Sequence, residues 1–146
     1  MKTKKIEKMN YKIVAKYIKK LKFEIPKPNI FFLLTKNIKN YKINIDIKSN
    51  QIRDNLIEIE TTLSLKANKS VIEKIEAEVS YSAIVELSNN TKKEDLKKII
   101  LIDVPTKIYP YLRETFISNF EKSGFKEIRV EEKIDFEALS KKQIVQ

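Results

Sequence analysis

The chain has 146 residues with no histidine, no cysteine and a single glycine, and its 30 basic against 20 acidic side chains leave a net charge of +10. Without cysteine there is no disulfide and no thiolate nucleophile. Without histidine the commonest general base and zinc ligand are gone, so Ser-His-Asp or Cys-His catalysis and a structural zinc site are excluded.

No stretch approaches the roughly 20 consecutive apolar residues that cross a bilayer. The basic opening MKTKKIEKMNYK lacks the apolar region of a signal peptide. Together these predict a cytoplasmic protein with no membrane partner. Of the 30 basic residues 27 are Lys, and the 3 Arg are Arg53, Arg113 and Arg129. Reading of base edges favours the planar, bidentate fork of Arg. Lys, Ile and Asn fill 61 of the 146 positions and share A- and T-rich codons. The basicity therefore reads as base bias on a tolerant surface, and a nucleic-acid partner is not expected.

In chain order, Tyr11, Ile13, Ala15, Tyr17, Leu21 and Phe23 alternate, which predicts a strand from Ile13 to Ile25. Pro26 and Pro28 argue against a helix after it, so residues 26–40 are expected to be a long connection crossing the sheet. Tyr41 to Lys48 alternates strictly, with Ile43, Ile45 and Ile47 on one side. Ile57, Ile59, Thr61, Leu63 and Leu65 repeat the pattern, with Glu58, Glu60 and Ser64 opposite. The link Lys66 to Lys69 is short enough for a hairpin with Asn68 left-handed. The following strand, Val71 to Leu87, is then an antiparallel neighbour. It carries Val71, Ile75, Ala77, Val79, Tyr81, Ala83, Val85 and Leu87 on a face interrupted by Glu73.

Helical signals follow. Thr91 and Glu94 have the spacing of a capping box, for a short helix expected to stop near Val104-Pro105. YPYLRETFISNFEKSGF, Tyr109 to Phe125, has both ends marked: Pro110 suits a first turn and Gly124 the left-handed position after the last. Asp135 is an N-cap candidate for a short final helix bearing Phe136 and Leu139. No repeat or low-complexity linker divides residues 1–146, so one domain is expected. Strands first and helices last predict an α+β fold, a four-stranded antiparallel sheet with helices packed on one side. A helix from Ile108 to Ser123 is about 24 Å long and covers only part of one face. Val14, Ile18, Ile72 and Ile84 leave the reverse sides of their strands imperfectly polar. That apolar surplus implies either a two-sided core closed by residues 26–40 or a partner surface.

Four blocks stand in one order along the chain: FEIP (Phe23 to Pro26), YPYLRE (Tyr109 to Glu114), GF (Gly124, Phe125) and DFEAL (Asp135 to Leu139). With KYIKKLKFEIP and EVSYSAIVEL around them, they resemble the SecB family of protein-export chaperones. The resemblance implies a dimer of dimers with no cofactor, no ATP and no catalysis. It implies binding of unfolded secretory precursors and their transfer to a SecA-type motor. Tyr11, Ile13, Tyr17, Tyr41, Ile43 and Ile45 are the candidates for an apolar client groove, with Phe136 and Leu139 as a movable edge. Glu24, Glu76 and Glu78 are the motor-docking candidates. Ala77, Val79, Tyr81, Leu112, Phe116 and Phe120 are those for the oligomer interface, with the helix from Ile108 sandwiched between sheets.

The chain departs from that pattern in charge. Family members are usually acidic, and Lys20 stands where the family pattern has Asp. This departure weighs against docking on a motor and keeps open a SecB-like role in guarding the antitoxin of a toxin–antitoxin pair. Outside the family, interleaved Lys12, Tyr17, Tyr41 and Lys42 on a sheet could stack nucleic-acid bases. An enzyme using only carboxylates and lysines finds no phosphate loop or paired-carboxylate motif to support it.

Overall fold

The computed structural model describes residues 11–38, 41–66, 75–126 and 128–145. Its strands are β1 (Tyr11–Glu24), β2 (Lys42–Arg53), β3 (Leu56–Lys66) and β4 (Glu76–Leu87). They form one antiparallel sheet in the order β1-β4-β3-β2. The α+β expectation holds. The Lys66–Lys69 hairpin, with Asn68, and Val71, Ile72 and Glu73 lie largely outside the described residues. β3 and β4 nevertheless pair as antiparallel neighbours, with Leu63 opposite Val79.

Register fixes which side chains share a face. Ile45, Leu63, Val79 and Leu21 are successive cross-strand partners, as are Ile59 and Ala83. Over β3 and β4 on this face lies α3 (Val104–Lys122). Its stripe Ile108, Leu112, Phe116 and Phe120 repeats every four residues and is buried to 1% exposure or less. Each such side chain contributes about 1.5–3 kcal/mol by leaving water.

The end of α3 follows the glycine signal. Gly124 has φ +96°. Its N–H donates to the carbonyl of Glu121 at 3.1 Å, and the Phe125 N–H donates to that of Phe120 at 2.9 Å. The rings of Phe120 and Phe125 pack 6.1 Å apart, completing a Schellman closure with its apolar contact. Asp135 also caps as expected: its Oδ1 accepts the Ala138 N–H at 3.0 Å at the start of α4 (Phe136–Val145).

Three expectations are corrected. Residues 26–40 contain a helix, α1 (Pro28–Asn37), because Pro28 sits at its start, where the missing N–H costs nothing. Ile30, Leu34 and Ile38 then fall on one buried side. The second correction concerns α2 (Lys93–Lys98), which does not stop near Pro105. It runs through a π-helical turn, Ile99–Asp103, into α3, leaving Pro110 inside the helix. The wide turn makes room ahead of Pro105, whose ring crowds the preceding turn of a regular helix. Thr91 does not cap α2; its Oγ1 donates to the Ser88 carbonyl at 2.8 Å.

The third correction is in β1. Register shifts fall between Ile13 and Ala15 and between Ile18 and Lys20. Each extra residue turns the following side chains to the other face. Ile18 therefore shares the helix-covered face with Tyr11, Ile13 and Leu21, and Tyr17 passes to the reverse. That reverse face is polar on its central strands, carrying Glu58, Glu60, Thr62 and Ser64 on β3 and Glu76, Glu78, Ser80 and Ser82 on β4. The core is accordingly one-sided.

Candidate functional site

Tyr41 and the β2 residues Ile43 and Ile45 floor a groove of about 660 Å³. Ile43 and Ile45 are half-buried, while their register partners Leu65 and Leu63 are buried. β2 is the outermost strand on this side, so beyond it the sheet offers no further cover. The opposite wall is the segment 128–134, with Ile128, Arg129, Val130, Glu131, Glu132 and Ile134, and α3 contributes Tyr109 and Arg113.

Those two α3 residues tie the wall down. They lie one turn apart and so point the same way. The Tyr109 hydroxyl donates to the Glu131 carbonyl at 2.5 Å. The Arg113 guanidinium donates from Nε to the carbonyls of Val130 (3.2 Å) and Glu131 (3.1 Å), and from Nη2 to Val130 at 3.1 Å. Burial pushes the Tyr109 phenol above its ordinary value, so it remains a neutral donor. Neither residue was a site candidate. Their acceptors are backbone oxygens about twenty positions further on, which no local spacing announces.

The candidates divide accordingly. Tyr41, Ile43 and Ile45 come together in the groove, whereas Tyr11 and Ile13 lie on β1, at the far edge of the same face. Tyr17 leaves this set altogether, by the bulges described above. Phe136 is 2% exposed, and its ring meets that of Tyr109 at 5.9 Å. Leu139, on the same helix, is half-buried.

The interface candidates lie mostly inside the single chain. Ala77, Val79, Leu112, Phe116 and Phe120 are at most 5% exposed within the single chain, because α3 packs on its own sheet. Tyr81 is half-buried, 6.1 Å from the Tyr111 ring. Apolar surface remains beside β1 at Ile18, Leu21 and Tyr111, all exposed, with the Lys16 ammonium 4.2 Å from the Tyr111 ring centre.

On the reverse face the carboxylates are paired. Glu58 accepts from the Tyr17 hydroxyl (2.7 Å), the Lys19 ammonium (2.9 and 3.0 Å) and the Ser82 hydroxyl (2.9 Å). These donors, Lys19 first and Tyr17 next, hold its carboxyl down at about 2. Lys19 also lies 3.7 Å from Glu60. Glu78 has Lys20 at 3.7 Å and Glu76 has Lys22 at 3.7 Å, while Glu24 stands opposite Glu76 in the ladder. Two of the three docking candidates thus have a lysine alongside, at a distance and exposure where such pairing is weak.

The backbone has the fold of a SecB-like chaperone. A structure of such a protein from Mycobacterium tuberculosis, in complex with a peptide from an antitoxin, matches with a TM-score of 0.60 at 11% identity, covering 84% of this chain and 86% of that one. Residues 4–146 match the family described as preprotein translocase subunit SecB. The chain belongs to the SecB family of protein-export chaperones. A provisionally named protein-export protein SecB of Pelagibacter ubique is 36% identical over 135 residues, covering 92% of this chain and 96% of that protein. The protein-export protein SecB of Orientia tsutsugamushi (strain Boryong) is 33% identical over 126 residues, 85% of this chain and 77% of its own.

Proposed function

We propose that this chain is an ATP-independent holdase that keeps unfolded secretory precursors in the groove beside β2. The observation that carries the reading is the groove itself, with half-buried Tyr41, Ile43 and Ile45 on the outermost strand. Apolar side chains of a client gain about 25 cal/mol per Å² by entering it, and an extended client can align with the edge of β2. Such contacts read no particular sequence. Several on one wrapped client add up by avidity, which favours an oligomer. Homotetramers built as dimers of dimers would cover Ile18, Leu21 and Tyr111.

Transfer to a SecA-type motor belongs to the same proposal, with Glu24, Glu76 and Glu78 on the reverse face as its contacts. The lysines beside Glu76 and Glu78 favour a second reading as well, in which the protein guards an antitoxin. That role uses the groove and needs no acidic docking face.

The test is suppression of aggregation of an unfolded, non-native client without ATP, with oligomer mass followed by light scattering. Replacing Ile43 and Ile45 together by Ser should lower client affinity at least about tenfold while the oligomer survives. A folded Ile43→Ser/Ile45→Ser protein that holds clients as well as the parent refutes the groove assignment. A clean monomer refutes the tetramer.

A further inference from the structure

Helix α1 turns one side inward and offers another to solvent. Ile30 and Leu34, one turn apart, are 3% and 0% exposed, whereas Phe32 is 65% exposed and Leu33 40%. Among the described residues Phe32 is the most exposed large apolar side chain. Neither Phe32 nor Leu33 lines the groove. They lie on the outer side of a helix, a ridge that suits a flat surface better than a threaded chain.

Along the chain, the charge in the stretch that holds this ridge has one sign. Exposed Lys27 precedes α1, and exposed Lys36 lies in its last turn. From Ile25 to Ile45 there is no Asp or Glu, while Lys27, Lys36, Lys39 and Lys42 all fall within the stretch. No other stretch of this length in the chain lacks an acidic residue. Lys19, Lys20 and Lys22 of β1 face glutamates of β3 and β4; the stretch around α1 has no acidic residue of its own.

We propose that α1 is a peripheral docking point for an anionic lipid bilayer. Phe32 and Leu33 enter the boundary between headgroups and acyl chains, and Lys27 and Lys36 meet lipid phosphates on either side. An apolar tip flanked by lysines is the composition of an interfacial helix, and lysines near an anionic leaflet are attracted within a Debye length. The expectation of no membrane partner rested on the lack of a spanning segment. No described helix is long and apolar enough to cross a membrane, but lying on a surface requires none. With only two inserted side chains the contact is reversible and salt-sensitive.

The test is co-sedimentation of the full chain with vesicles of phosphatidylglycerol and phosphatidylcholine in equal parts, beside vesicles of phosphatidylcholine alone. Binding to the anionic vesicles should be about tenfold stronger and should vanish at high salt. It should be lost in Phe32→Gln/Leu33→Gln and in Lys27→Gln/Lys36→Gln, both with the parent's circular dichroism. Equal binding to the two vesicle types, no binding, or variants that bind like the parent overturns the proposal. So does loss of oligomer mass or of client holding in the Phe32/Leu33 variant with vesicle binding intact, which assigns the ridge to a second copy or to clients. Should that variant misfold, the lysine pair, which leaves the buried side of α1 untouched, decides alone.

Discussion

Replacing Arg113 by methionine should loosen the wall of the groove before it loosens the protein. The guanidinium is the donor that joins Val130 and Glu131 to α3, through contacts of 3.1 to 3.2 Å. Methionine keeps an apolar stem and removes every donor. Val130 is 8% exposed, so its carbonyl has poor access to water and is left wanting a partner, which costs about 1–3 kcal/mol. Glu131 is exposed and keeps the Tyr109 hydroxyl, so its loss is small. A net cost of roughly 2 kcal/mol corresponds to about a 30-fold larger local opening constant. Hydrogen–deuterium exchange read by mass spectrometry should find amides of 128–134 exchanging faster by that factor, with β3 and β4 still protected. Client affinity should change with it, since the same segment walls the groove. Unchanged exchange at 128–134, or a uniform loss of protection along the chain, refutes the idea of a local clamp. Tyr109→Phe should cost about 1 kcal/mol, and more than additively with Arg113→Met, because each single variant leaves the other donor on the Glu131 carbonyl.

Gly124→Ala should cost about 1–2 kcal/mol and lower the melting temperature by roughly 5 °C. Its φ of +96° suits no L side chain, and the added Cβ would stand 3.4 Å from the Phe31 ring; a calorimetric scan matching the parent would mean that no strain is held there. The Glu58 carboxyl titrates in the folded chain near 2, against an ordinary 4.5. Its stabilisation is therefore complete above 4.5 and is lost as pH falls towards 2. Across that window the urea midpoint should fall more steeply for the parent than for Glu58→Gln, and equal slopes would remove the network from the stability of the sheet.

Much of the fold was legible because the central strands obey a simple period. Ile57 to Leu65 and Ala77 to Val85 alternate without interruption, and their side chains lie in the core as that alternation requires. Gly124 and Asp135 were readable because each satisfies backbone groups within a few residues of itself. What failed involved partners distant in sequence. A bulge is a relation between two strands, so nothing in Ile13 to Lys20 says where β4 will slip, and Tyr17 was assigned to the wrong face. Pro28 reads as a stop where the fold uses it as a start, and Pro105 reads as a stop where the helical run continues through it. The floor of the groove was legible in Tyr41, Ile43 and Ile45. Its far wall was not, because that wall is held by backbone carbonyls, which carry no residue identity.

The solitary glycine also bears on the composition of the whole chain. A sequence drawn towards Lys, Ile and Asn by A- and T-rich codons is drawn away from glycine, whose codons begin with two guanines. Left-handed backbone must then be supplied by other residues wherever they can manage it. At the turn between β2 and β3 an aspartate does so, Asp54 with φ +42°, near the small left-handed well that Asp and Asn tolerate. At position 124 the angle is +96°, beyond that well, and no side chain substitutes cheaply. Mutational drift has a replacement available at the first site and none at the second. One G-rich codon is the minimum that this helix ending obliges the gene to keep.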